Sequence, residues 1–210
     1  PEVLVRDYAD LGFTPDDRER WEKMVKEPNG VILVTGPTGS GKTTTLYSSL
    51  KNIATPEVNV CTIEDPIEMV EPMFNQMQVQ PVIGVDFATG VRTLMRQDPD
   101  IIMVGEVRDH DTAEMAVQAA LTGHLVLSTL HTNDAPTTLL RLLNMGVAPF
   151  NVASSVLLIT AQRLGRKLCT HCKTPKDIPP EALLQAGFTE EDLDGTWQPF
   201  GAVGCELCKG

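Results

Sequence analysis

The sequence predicts an α/β fold: a mostly parallel sheet covered by helices on both faces, with a small cysteine-framed subdomain after it. Three observations lead to this reading. Short β-branched apolar runs alternate with longer helix-like segments, a glycine-rich loop joins the first of those runs to a helix, and beyond Leu168 the periodicity fades between two C-x-x-C pairs.

The elements follow in order. A polar helix-like segment from Arg18 to Glu27 leads through the turn signal Pro28-Asn29-Gly30 into the strand Val31-Ile32-Leu33-Val34-Thr35. A helix is expected from about Thr43 to Ala54, a strand around Val58 to Ile63, a helix near Phe87 to Gln97 and a strand at Ile101 to Val104. The Ala-rich stretch Asp111 to Leu121 reads as a helix before the strand Leu125 to Thr129, and helices from Ala135 to Met145 and from about Phe150 to Leu164 close the unit. Strands separated by helices of this length cannot pair as hairpins, so the sheet is parallel and buried on both sides. The expected organisation is a core over residues 1–168 and a subdomain over 169–210, the latter rich in Pro, Asp, Glu and Gly.

Composition narrows the function. With 42% hydrophobic residues in 210, a sizeable core can form, yet no apolar run approaches the roughly 18 to 20 residues that span a bilayer. The opening stretch Pro1-Glu2-Val3-Leu4-Val5-Arg6-Asp7 lacks the layout of a signal peptide, so a soluble, cytoplasmic protein is expected. The chain begins with Pro and ends at Lys209-Gly210, immediately after a cysteine pair, and reads as a piece of a longer protein. Seventeen basic against 28 acidic residues give a net charge of -11, and no Lys/Arg block stands out to follow a phosphate backbone, so nucleic acid is not the expected partner.

Gly36-Pro37-Thr38-Gly39-Ser40-Gly41-Lys42-Thr43 follows the first strand and opens a helix, the setting that the G-x-x-x-x-G-K-[ST] motif requires. The glycines let backbone N–H groups face a β-phosphate, with the N-terminus of a helix behind them. Lys42 supplies a cation for the β- and γ-phosphates, and the Thr43 hydroxyl a ligand for Mg²⁺. ATP or ADP with Mg²⁺ is the expected occupant.

Hydrolysis also needs a group that orients water and a group that manages the metal. Thr62-Ile63-Glu64-Asp65-Pro66-Ile67-Glu68 closes the second strand and Gly105-Glu106 the third. Ligands of open parallel sheets bind at the carboxyl ends of strands, so Glu64 and Glu106 both point toward the phosphate loop. An acidic strand end of this kind usually carries Asp where Gly105 stands, which leaves the division of labour between the two glutamates open. His124 and His131 bracket the next strand, with His131 at its phosphate-facing end as either a γ-phosphate sensor or a structural donor. Arg92, Arg96, Arg108 and Arg163 serve equally well as phosphate or subunit contacts or as surface ion-pair partners.

Cys169-Thr170-His171-Cys172 and Cys205-Glu206-Leu207-Cys208 form two C-x₂-C pairs with 32 residues between them. Four thiolates suit tetrahedral Zn²⁺, and in a reducing compartment a closed structural zinc site is favoured over disulfides. Cys61, alone in an apolar run, reads as core filling.

Taken together, Gly36 to Thr43, Thr62 to Glu68, Asp98-Pro99-Asp100 through Asp109, Thr122 to Asp134 and Ala161-Gln162-Arg163-Leu164 resemble, in order, the motifs of the secretion ATPase superfamily, and in particular the type IV pilus assembly and type II secretion ATPases. The resemblance covers about Leu11 to Gly210. It implies a RecA-like P-loop core of a homo-hexameric, ATP-hydrolysing motor that acts at the inner membrane on a platform protein. It further implies Glu64 as general base, Glu106 on Mg²⁺ or its waters, and His131 as the link from nucleotide state to movement. The tetracysteine element places the chain with the assembly and secretion branch rather than the retraction motors. Arginines from an upstream domain and from neighbouring subunits complete the site in that family, so this segment alone is expected to bind nucleotide but turn over slowly. Two other readings stand beside it: a nucleic-acid motor on the same core, against which the acidic balance and 5% aromatic content argue, and a nucleotide-binding scaffold with little turnover.

Overall fold

A computed structural model describes residues 5–208; Pro1 to Leu4 and Lys209-Gly210, which the sequence reading used for the chain's ends, lie outside them. Contacts divide the chain after Leu164 into two compact units.

The first unit contains α1 (Pro15–Met24), β1 (Gly30–Thr35), α2 (Lys42–Ile53), β2 (Val60–Glu64), β3 (Phe74–Gln78), α3 (Phe87–Leu94), β4 (Ile101–Val104), α4 (His110–Leu121), β5 (Leu125–Leu130), α5 (Ala135–Asn144), α6 (Pro149–Ser155) and β6 (Val156–Ala161). Its six strands lie in the order β3-β2-β4-β5-β1-β6, and every pairing is parallel. Successive side chains of a strand point to opposite faces, and the two hydrophobic clusters divide along that period. Val31 and Leu33 of β1 pack with Ile63, Ile102, Val104 and Val126 under α3, α4 and α6. Ile32 and Val34 pack with Val60, Met103 and Leu127 against Trp21 of α1 and Leu46, Tyr47 and Leu50 of α2. β1, β2, β4 and β5 are buried along their whole length, which is why they read as largely apolar runs, broken in β2 by Thr62 and Glu64 and in β5 by Ser128 and Thr129.

Three helices start by one device. Asp86, Asp109 and Asp134 each cap α3, α4 or α5 by accepting from the backbone N–H three residues on, that of Thr89, Thr112 and Thr137, at 2.7, 2.8 and 2.6 Å. The sequence shows this as D-x-x-T before each helix. In α1 the cap is Thr14, with Pro15 at the first helical position, so the helix runs earlier than the expected Arg18 to Glu27.

Two expectations need correction. The segment expected as one helix from Phe150 to Leu164 is helical only to Ser155; Val156 to Ala161 turns into β6, parallel to β1 with Val34 opposite Thr160. Without it β1 would be a sheet edge, and the run Val156-Leu157-Leu158-Ile159-Thr160 has the β-branched content to pair there. β3 was not expected at all. It is an edge strand, Phe74-Asn75-Gln76-Met77-Gln78, whose polar residues hide the strand pattern.

The second unit begins at Gly165 and holds the antiparallel pair β7 (Thr174–Pro175) and β8 (Phe200–Gly201), the short helix α7 (Pro180–Gln185), and a stacked Phe188–Trp197 pair with ring centroids 5.2 Å apart.

Candidate functional site

β1 lies inside the sheet between β5 and β6, so the chain leaving Thr35 emerges at the carboxyl edge, beside the ends of β2, β4 and β5. Gly36 turns there with φ 140°, and a Cβ on it would sit 2.2 Å from the carbonyl oxygen of Gln162. Gly41 takes φ 83° as the residue before α2, which lets the loop curl over the first turn of that helix. The uncapped backbone N–H groups of α2 face the loop, the positive end of the helix. Lys42 is buried, and its Nζ donates to the carbonyls of Gly36 at 2.9 Å and Pro37 at 3.0 Å. Burial draws its pKa down, and the nearby Glu106 charge opposes that shift.

A cavity of about 380 Å³ lies against this loop, lined by residues 38–44 and by Glu64, Glu106, Thr129 and His131. The loop and the three side chains singled out from the sequence therefore meet at one place. Glu64, at the end of β2, is 3% exposed. Its Oε2 accepts from the Tyr47 hydroxyl at 2.6 Å, and its Oε1 from Thr62 Oγ1 at 2.6 Å and Gln76 Nε2 at 3.1 Å. Glu106, past the end of β4, is more open and stands between Arg108 and His131. One oxygen pairs with Arg108 Nη2; the other lies 3.5 Å from His131 Nε2.

Gly105 packs closely against β2: a Cβ there would lie 3.3 Å from the Ile63 carbonyl oxygen, a tight contact, and 3.5 Å from Glu64 Cα. The Gly105 carbonyl accepts from Thr129 Oγ1 at 2.7 Å, which ties the end of β5 to the turn before Glu106.

The four arginines separate. Arg108 bridges Glu106 and Asp65, and those carboxylates raise its pKa, with the Glu106 hydrogen bond the largest cause. Arg163 donates to the Asn133 carbonyl at 3.1 Å. Arg92 and Arg96 are exposed and do not line the cavity. At the opposite end of β5 from His131, His124 bonds through Nδ1 to the Ala119 carbonyl at 2.9 Å.

Sequence reasoning missed Tyr47 and Gln76 and quoted Gln162 only as part of a motif. Tyr47 had a signal: it lies four residues after Thr43, on the same face of α2. Gln76 had none while β3 was unrecognised.

In the second unit the sulfur atoms of Cys169, Cys172, Cys205 and Cys208 all lie within 4.8 Å of one another, with Cys172–Cys208 at 3.8 Å and Cys205–Cys208 at 3.7 Å. Thiolates about 2.3 Å from a tetrahedral metal lie about 3.8 Å apart, so the donor set fits such an ion. The Cys205 backbone N–H donates to Cys208 Sγ at 3.2 Å, a contact that supports a thiolate.

A glycine-rich loop at the start of α2, with a buried ammonium that donates to two loop carbonyls and carboxylates at neighbouring strand ends, suits a polyphosphate and its cation and places the first unit among the phosphate-loop α/β domains. The chain belongs to the Type II/IV secretion system protein family, whose pattern it matches over residues 1–210. It is 59% identical over 209 residues to the type IV pilus assembly ATPase TfpB of Acinetobacter baylyi, covering 100% of this chain and 36% of that protein. It is 51% identical over 203 residues to the type II secretion system ATPase E of Vibrio cholerae, covering 97% of this chain and 40% of that protein. The chain thus spans little more than a third of these relatives. Among solved structures, the pilus retraction motor PilT with bound ADP superposes with a TM-score of 0.67 at 36% identity, over 77% of this chain and 49% of that one. Among the described residues no helix is long and apolar enough to cross a membrane.

Proposed function

We propose that this chain is the ATP-hydrolysing motor domain of a protein that drives type IV pilus assembly or type II protein secretion. The observation that carries the proposal is the single cavity in which Lys42 and Thr43 of the loop meet Glu64, Glu106 and His131.

ATP is held through its β- and γ-phosphates by backbone N–H groups of residues 38 to 43, which line the cavity, and by Lys42, whose ammonium exchanges the Gly36 and Pro37 carbonyls for phosphate oxygens. Mg²⁺, when bound, neutralises charge on the phosphates; Thr43 and Glu106 would hold it, directly or through water. Glu64 takes a proton from the water that attacks the γ-phosphorus, the bond to the β–γ bridging oxygen breaks, and ADP and inorganic phosphate leave. His131, touching Glu106 from the end of β5, passes the change in phosphate contacts to the segment before α5.

The four cysteines hold a structural Zn²⁺ that fixes the fold of the second unit, with no open position for chemistry. In the working protein six copies form a ring in the cytoplasm, peripheral to the inner membrane, where the ring moves a platform protein of the pilus or secretion machine. The net charge of -11 argues against nucleic acid as the track.

The test is phosphate release by the full-length protein that carries this sequence. Glu64→Gln and Glu106→Gln keep side-chain shape and remove charge, so turnover should fall by roughly 10² or more while ATP binding persists. Wild-type turnover in both variants would refute the assignment of roles.

A further inference from the structure

Glu64 is a buried carboxylate whose three hydrogen-bond partners, Tyr47, Thr62 and Gln76, are all neutral. Neutral donors fix the direction of a carboxylate without cancelling its charge, as an arginine partner would. Thr62 lies on the same strand, but Tyr47 and Gln76 come from elsewhere. Tyr47 is fully buried on α2, one turn beyond Thr43, so the helix that carries the phosphate loop also carries a donor to Glu64. Burial, and then the Glu64 contact, raise the pKa of the phenol well above its ordinary value, so it is present as the donor.

Gln76 sits on β3 directly opposite Thr62. The two protons of its Nε2 are shared among three acceptors, Glu64 Oε1 at 3.1 Å, the Tyr47 oxygen at 2.9 Å and the Met69 carbonyl at 2.9 Å, and its Oε1 accepts from the Glu71 N–H at 2.8 Å. The loop that leaves Glu64 is thereby fastened to the same amide. Lys51 of α2 pairs with Glu71 at 2.9 Å and closes the circuit back to the loop helix.

We infer that Tyr47 and Gln76 are positioning residues that aim the Glu64 carboxylate into the phosphate-loop cavity, one from the loop helix and one from the edge strand. The inference rests on the reading of Glu64 as the general base. Its consequence is that displacement of α2 relative to β3 changes the aim of Glu64 and so changes turnover without changing how phosphate is held.

The experiment is a double-variant cycle on the full-length protein, reading kcat for phosphate release and the affinity for ADP. Tyr47→Phe keeps the ring against Phe74, whose centroid is 5.9 Å away, and removes only the hydroxyl. It should lower kcat by about tenfold, a fraction of what a general base supplies. ADP affinity should stay within about twofold of wild type, because no phosphate contact is lost. Gln76→Met, on a different element, should act in the same direction, so a folding failure of one variant leaves the other to decide. In the Glu64→Gln background neither change should lower kcat further. Wild-type kcat in Tyr47→Phe and Gln76→Met would overturn the inference, as would an equal further loss in the Glu64→Gln background, which marks a general disturbance of the fold. If Glu64→Gln itself retains wild-type kcat, the reading of Glu64 fails and the positioning role falls with it.

Discussion

The side-chain amide nitrogen of Gln162, just past the end of β6, donates to the carbonyl of Ser40 in the phosphate loop at 2.7 Å. The same amide accepts from Thr45 Oγ1 at 3.0 Å, and the Gln162 backbone N–H donates to Thr35 at 2.9 Å, so one residue touches the strand before the loop, the loop and the helix after it. Gln162→Leu leaves two of those groups without partners, a loss of about 1–3 kcal/mol for a buried group. Affinity for Mg-ADP should fall by about tenfold, since 1.4 kcal/mol is a factor of ten. Titration calorimetry measures it; unchanged affinity would mean that the glycines alone hold the loop.

The cysteine cluster makes a prediction that is independent of nucleotide. Metal analysis of the purified protein should give about one Zn²⁺ per chain by the four-thiolate rule. Chelation should increase amide exchange in residues 165–208 before it affects the sheet, because the second unit has few buried apolar side chains of its own. Full zinc occupancy and an unchanged melting profile in Cys172→Ser would refute the site.

The helix caps predict how stability depends on acid. Asp86 and Asp134 have pKa values below the ordinary 3.8, chiefly because the backbone N–H groups of Thr89 and Thr137 donate to the charged form. A carboxyl with a depressed folded-state pKa adds stability that is present above its unfolded pKa and is lost as pH falls through the folded value. Asp86→Asn/Asp134→Asn keeps the caps but not their charge, so it should be less stable than wild type at pH 7. The deficit should shrink as pH falls below about 4, where the carboxyls of the unfolded chain begin to protonate, and should be lost once pH passes below the depressed folded-state values. Urea midpoints at pH 7 and pH 3 measure it, and a deficit that does not change with pH would contradict the capping account.

What the sequence made legible follows burial. β1, β4 and β5 lie within the sheet, and their apolar runs, residues 31–34, 101–104 and 125–127, read directly as strands. β3 lies at the edge, where Asn75, Gln76 and Gln78 serve hydrogen bonds rather than the core, and no periodic pattern survives. β6 failed for a different reason. Its apolar run fits a helix as well as a strand, and only the open side of β1 decides between them. At the site, Lys42, Glu64, Glu106 and His131 stood out because they are charged or titratable residues at strand ends or in a known loop. Tyr47 and Gln76 are neutral and act through another side chain, so only the folded arrangement brings them into view.

Lys42→Ala asks whether the loop from Gly36 to Thr43 holds the phosphates of a nucleotide. Lys42 contacts two loop carbonyls and no apolar neighbour is required to move, so the variant should fold with an unchanged circular dichroism spectrum. A charge-assisted contact to phosphate contributes about 1.5–3 kcal/mol, so affinity for Mg-ATP, measured by calorimetry on the full-length protein, should fall by roughly 10- to 100-fold. Wild-type affinity in a folded Lys42→Ala protein would contradict the account.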